Sequence, residues 1–286
     1  MAAARPLTKR DIAVLQMVYS YEGATVEQIK ARVFRASGNK SAAYRRIKVL
    51  RDAGYLTGER IPSLSGIGSG KAFVTTGPAA RPILAELLGV PRNELARVRT
   101  QSPFIVQHHL AIGDFRISLE NACERSPSLV LRDWISEREL RRERASSHAA
   151  ALVPDASFIL SCEDEREQTF WLEMDMGTMS SKRLLAKLRG YLTLGGTSIP
   201  ILFCTLDTAR AKQILELALK AGAQLARDPT IIWSAAKSEL TPQRILDDRL
   251  WSVAGGPTVS ILGLTGATPT VSGSTKGTLF FRKEAA

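Results

Sequence analysis

The chain has 286 residues, enough for one large domain or two smaller ones with real cores, and carries 39 Lys and Arg against 28 Asp and Glu, a net charge of +11. Its three cysteines, Cys123, Cys162 and Cys204, are far apart and odd in number, which argues against a disulfide scaffold or a zinc ribbon and fits a reducing cytoplasm. No apolar run is long enough to span a bilayer and the first residues lack the apolar core of a signal peptide, so a soluble cytoplasmic protein without a membrane partner is expected.

The positive charge is unevenly placed. Residues 1–100 hold 17 Lys and Arg against 7 Asp and Glu, whereas the rest holds 22 against 21. A polyanion is the natural partner of the first third, because neutralising phosphates releases counterions and drives nucleic-acid binding.

Elements follow in order. Thr8 caps a helix whose Ile12, Leu15, Val18 and Tyr19 keep helical spacing, and Thr25 caps a second with Val26, Ile29 and Val33 facing inward. A third runs from about Ser41 to Ala53, with Ile47 and Leu50 inward, Tyr44, Arg45, Arg46, Lys48 and Arg51 largely outward, and Gly54 as its C-cap. Two strands follow, from Tyr55 to Ile61 and from Lys71 to Thr75, joined by a glycine-rich tip.

Three short helices and a two-stranded wing resemble the winged helix-turn-helix, and the stretch from Tyr44 to Leu56 is similar to the recognition helix and wing entry of many bacterial members. The resemblance implies that Asn39, Lys40, Ser41, Tyr44, Arg45, Arg46 and Lys48 enter or border the major groove of double-stranded DNA, with Lys71 approaching phosphate from the wing. A basic helical domain that contacts protein is the other reading.

These elements define a first domain over residues 1–90. A polar, basic linker over 91–104 leads to a second domain, 105–254, and a Gly/Ser/Thr-rich tail occupies 255–286. The second domain opens with a helix from Val106 to Cys123 that carries His109 and Asp114, either accessory groups near a site or structural residues. A strand spans Leu129 to Ile135 and a charged helical turn Ser136 to Arg144. After the hairpin described next come a helix from Ser181 to Leu194, a buried strand from Ile199 to Thr205, a helix from Ala209 to Ala221 and a strand from Thr230 to Trp233. That order gives an α/β domain with a mixed sheet.

The hairpin carries the chemistry. Its arms run from Asp155 to Leu160 and from Thr169 to Met176, and Asp155 and Glu173 are symmetric about Asp164 in the polar turn. Such a turn sets Asp155 opposite Glu173, while alternation puts Asp175 on the same face as Glu173 and sends Phe170, Leu172, Met174 and Met176 to the other. Three carboxylates on one surface repel unless a cation screens them; Mg²⁺ or Mn²⁺ is the expected relief, as a metal site for phosphodiester hydrolysis, and an acidic solvent face is the alternative. Arg183, Lys187 and Tyr191 recur every four residues on the next helix, so Lys187 can reach the acids or a phosphate, with Tyr191 one turn beyond.

This second region resembles the restriction-endonuclease-like, or PD-(D/E)XK, nuclease core. The resemblance implies Asp155, Glu173, Asp175 and Lys187 as catalytic residues, with Asp175 standing where that core usually has its lysine and Lys187 supplying the lysine from the neighbouring helix. The whole order of motifs, from the winged helix through His109-Leu110-Ala111-Ile112-Gly113-Asp114, Pro154-Asp155-Ala156 and Leu172-Glu173-Met174-Asp175 to Lys187-Leu188-Arg189-Gly190-Tyr191, is similar to the replication-relaxation family of plasmids and integrative elements and to nuclease-fold mobilisation relaxases. It implies binding, and in one reading nicking, of origin-type duplex DNA in a bacterial cytoplasm during replication or conjugation, with homodimer or relaxosome partners. In the other reading the degenerate core serves dimerisation of a regulator.

Overall fold

The computed structural model describes residues 6–35, 40–60, 72–93, 95, 102–126, 128–144, 152–162, 166–194, 198–246 and 248–264. It is a mixed α/β structure that separates into two compact units, the first ending at Asp114 and the second beginning at Phe115.

Unit 1 begins with α1 (Lys9–Ser20), β1 (Ala24–Thr25), α2 (Val26–Val33) and α3 (Lys40–Asp52), followed by β2 (Leu56–Arg60), β3 (Ala72–Thr76) and α4 (Arg81–Leu88). Helices α1 and α2 start where threonines supply an acceptor for orphan backbone donors. Thr8 pairs reciprocally with Asp11, and Thr25 with Gln28, each a capping box. Strand β3 lies between β1 and β2 in an antiparallel sheet, with Ala24 opposite Val74 and Leu56 opposite Thr76. Val14, Leu15, Val18, Ile29, Ile47, Leu50, Leu56 and Val74 form the buried interior, the i, i+3, i+4 stripes of the helices closing on the inner face of the sheet. At Gly23, φ is +121° and a Cβ would fall 2.1 Å from the Phe73 ring, so both backbone hand and space require glycine before β1. Helix α5 (Pro103–Cys123) carries the chain past the division between the units.

Unit 2 is built on a sheet of seven strands among the described residues: β4 (Leu129–Ser136), β5 (Ala156–Cys162), β6 (Glu167–Asp175), β7 (Ile201–Thr205), β8 (Ile232–Ala236), β9 (Trp251–Val253) and β10 (Thr258–Val259), hydrogen-bonded in that spatial order. Helix α6 (Glu137–Arg144) follows β4, α7 (Ser181–Thr193) joins β6 to β7, α8 (Thr208–Leu225) joins β7 to β8, and α9 (Ile261–Leu264) ends the described chain. β7 and β8 run parallel to β6 because α7 and α8 carry the chain back between successive strands, whereas β5 and β6 form an antiparallel hairpin and β4, followed by α6, pairs antiparallel with β5. The central strands are buried on both faces and read as near-continuous apolar runs, as in Ile201-Leu202-Phe203-Cys204.

The two faces are filled differently. On one, Leu184, Leu188, Tyr191 and Leu192 of α7 and Ile214, Ala218 and Ala221 of α8 pack on Trp171, Ile201, Phe203 and Ile232. On the other, Trp134, Phe158 and Phe170 stack in series at 5.6 and 5.2 Å between centroids, flanked by Phe115, Trp233 and Trp251. Each buried aromatic there contributes on the order of 2–3 kcal/mol by leaving water. Both Glu173 and Asp175 therefore belong to the face covered by α7 and α8.

Candidate functional site

The pairing of β5 with β6 sets Ala156 opposite Leu172 and Ser157 opposite Trp171, so the next step in register brings Asp155 beside Glu173. The Asp155 N–H donates to the Leu172 carbonyl at 3.0 Å, and the Met174 N–H donates back to Asp155 Oδ2 at 2.7 Å. Asp155 thus fastens the end of the ladder with its own side chain.

Glu173 is 2% exposed. Lys187 Nζ and Tyr191 Oη, one turn apart on α7, donate to its two carboxylate oxygens. Burial, and secondly the Asp155 charge, push the Glu173 carboxyl up to about 8, although Lys187 and Tyr191 pull the other way. Burial alone would lower the Lys187 ammonium; the charges of Glu173 and Asp155 outweigh it and hold its pKa above the usual lysine value. Tyr191 is 1% exposed, its ring between Trp171 and Phe203.

Asp175 has a different partner. Arg210 of α8 grips it with a fork, Nε to Oδ1 at 3.1 Å and Nη2 to Oδ2 at 2.9 Å, and the Gly177 N–H donates to Oδ1 at 2.6 Å. Arg210 also donates to the Met179 carbonyl at 3.0 Å, which ties the turn after β6 to α8. Sequence reading missed Arg210. Its position three residues after the Asp207 helix cap marks a helix start, but a partner 35 residues upstream becomes visible only once α8 is laid on the sheet.

A divalent ion at Asp155, Glu173 and Asp175 must be weighed against these partners. Lys187 and Tyr191 take both oxygens of Glu173, while Arg210 and Gly177 take those of Asp175. Among the described residues no group of three or more His, Cys, Asp or Glu side chains is placed to hold a metal ion. The donor set as arranged does not fit Mg²⁺ or Mn²⁺: the structure joins Asp155, Glu173, Lys187 and Tyr191 and leaves Asp175 to Arg210.

His109 and Asp114 serve unit 1. Gln28 Nε2 donates to Asp114 Oδ1 at 2.7 Å and to the Leu110 carbonyl at 2.8 Å, and His109 Nδ1 lies 3.8 Å from Glu22 Oε2. A Cβ at Gly113 would lie 3.2 Å from Gln28 Nε2, so glycine admits this close contact of α2 with α5. Gln28 was the unread half of the Thr25 capping box.

The basic helix α3 divides into two sides. Ser41, Tyr44, Arg45 and Lys48 are exposed, with the Tyr44 hydroxyl donating to Glu27 at 2.6 Å and Lys48 paired to Asp52 at 2.7 Å on the same helix. Arg46, expected outward, turns inward instead: its Nε donates to Asp11 Oδ1 at 2.5 Å and its Nη2 to Oδ2. Asp11 is fully buried, and burial works to raise its carboxyl, but the bonds from Arg46 and Thr8 with the Arg46 charge hold it below the usual range. Arg46 therefore locks α3 to α1. Asn39, Lys71 and the side chain of Lys40 lie outside the described residues, as do the polar hairpin turn at 163–165 and the tail beyond 264.

What fold and site define is a mixed α/β protein in which a small basic helical unit accompanies a sheet whose acids are engaged by a lysine, a tyrosine and an arginine. Residues 15–200 match the model of the replication-relaxation family, and the chain belongs to that family. No curated protein and no solved structure matches it. No described helix is long and apolar enough to cross a membrane.

Proposed function

We propose that this protein binds duplex DNA at a replication or transfer origin of a mobile element, through unit 1, and that its sheet domain serves the complex without hydrolysing it. The observation that carries the reading is the outer side of α3. Tyr44, 49% exposed, stands there with Ser41, Arg45 and Lys48 on a helix that follows α1 and α2 and precedes the β2–β3 hairpin. This is the element order of a winged helix-turn-helix, in which the third helix enters the major groove. Because Arg46 is committed to Asp11, the groove-facing set narrows to Ser41, Tyr44, Arg45 and Lys48, with Asn39, Lys40 and Lys71 as flanking contributors. The family's place in replication and the charge excess of residues 1–100 support the same partner.

The non-hydrolytic role of unit 2 rests on its satisfied acids. Both oxygens of Glu173 are held by α7 and both of Asp175 by Arg210 and Gly177, so the cluster acts as a polar clamp that fixes α7 and α8 to the sheet. Fluorescence anisotropy with labelled origin duplex tests the DNA reading. Binding should weaken steeply as salt rises, and Arg45→Ala should weaken it with no change in thermal stability; salt-insensitive binding, or none, refutes it.

A further inference from the structure

The surface of unit 2 next to the buried cluster opens into a cleft lined by Thr178, Met179, Arg183, Ala186 and Lys187. Its charged lining groups are both cations. Arg183 is exposed on α7, and Lys187, one turn further, is 22% exposed with its ammonium on Glu173. Like charges four residues apart on a helix repel, and an anion between them removes the penalty. An ammonium has three N–H donors, of which Glu173 takes one, so the remainder can serve a ligand in the cleft. The Arg183 guanidinium adds a planar fork that matches phosphate oxygens, and Thr178 a neutral hydroxyl.

Acids near Lys187 are already engaged. Asp155 accepts the Met174 N–H at 2.7 Å, Glu137 accepts Arg141 Nε at 2.8 Å, and Glu173 accepts from Lys187 and Tyr191. The charged side chains that line the cleft itself are the two cations Arg183 and Lys187. It is largely open to solvent, a shape suited to a polymer backbone passing across it more than to an enclosed small molecule.

We infer that this cleft is a phosphodiester-binding subsite of unit 2, where Arg183 and Lys187 grip a phosphate of the bound DNA backbone and hold it uncleaved. The inference rests on the reading of the chain as a DNA-binding protein and adds a second, sequence-independent contact to the one made by α3. It also gives the Glu173–Lys187 pair a purpose beyond packing, since Glu173 aims the ammonium at the cleft.

The test uses the full chain and a fluorescein-labelled duplex of about 30 base pairs, titrated at several salt concentrations. Arg183→Ala should weaken binding about five- to tenfold at 0.1 M salt and reduce the slope of log affinity against log salt by about 1. Arg183→Lys, which keeps the charge and loses the fork, should fall between it and the wild type. Lys182→Ala removes the same charge from the same helix outside the cleft lining and should cost less than half as much. Equal effects of Lys182→Ala and Arg183→Ala, or an unchanged salt slope in Arg183→Ala, overturn the subsite. When the wild type binds and Arg45→Ala weakens it but Arg183→Ala does not, the subsite alone falls; when the wild type does not bind, both readings fall. Arg183 is exposed, so unchanged thermal unfolding of its variants is expected and separates a lost contact from a lost fold.

Discussion

The two units handle charge in opposite ways. Unit 1 leaves Arg45 and Lys48 exposed on the outer side of α3 and turns Arg46 inward to the buried Asp11. Unit 2 buries its acids under two helices and answers each with a donor, Lys187 and Tyr191 for Glu173 and Arg210 for Asp175. The contrast teaches that residue type does not decide role. Arg45 and Arg46 are neighbours in sequence, yet one is exposed to solvent and the other holds α3 to α1; Glu173 and Asp175 share a strand face, yet are committed to different helices.

Breaking the buried side of this contrast should have the largest effects. Lys187→Met leaves Glu173 in the sheet without its cation and should destabilise the protein by about 3 kcal/mol in urea unfolding, because an unpaired buried charge is far costlier than a lost surface pair. The loss should be greatest above pH 8, where Glu173 is ionised, and shrink in acid as it takes up a proton. Equal loss at all pH values would show that Lys187 contributes only by packing. Arg46→Met should cost about 2–3 kcal/mol by stranding buried Asp11, and a loss below half a kcal/mol would remove the lock between α1 and α3.

Glu173→Gln sharpens the comparison through pH. In the unfolded chain a glutamate loses its proton near 4.5, whereas in the fold Glu173 keeps it up to about 8. Between those values the folded state binds the extra proton, so wild-type stability should fall as pH rises, by at most about 1.4 kcal/mol per pH unit. The Gln variant should lack this component across pH 5–8. If both proteins show the same slope, the raised carboxyl pKa is contradicted.

Smaller effects belong to unit 1. Gln28→Leu removes the donor to Asp114 and the Leu110 carbonyl and half of a capping box, for about 1–2 kcal/mol in thermal unfolding. Arg45→Ala should leave stability within about 0.5 kcal/mol of wild type and be detected only in DNA affinity.

Local signals made much of this legible. Thr8 and Thr25 announced their helices because a capping box spans only four residues. The 155–173 pairing could be read because alternation and a symmetric turn fix a hairpin register from sequence alone, and the register in the fold is the one with Ala156 opposite Leu172. Lys187 and Tyr191 reach Glu173 because both lie on one face of the helix that immediately follows the strand. Partners set by topology were illegible: Arg210 meets Asp175 only through the parallel crossover, and Arg46 meets Asp11 only when α3 packs on α1. The expected convergence of three acids failed for that reason, since strand alternation gives a shared face but says nothing of the helices that cover it.

The central claim is that DNA is bound by unit 1 and left uncut by unit 2. Supercoiled origin plasmid incubated with the protein and Mn²⁺, under conditions where anisotropy shows saturated binding, tests it most directly. The account predicts plasmid that stays supercoiled, with the same band pattern for wild type and Asp155→Ala. Open circles formed by the wild type and lost in Asp155→Ala would contradict it and return the carboxylates to a catalytic role.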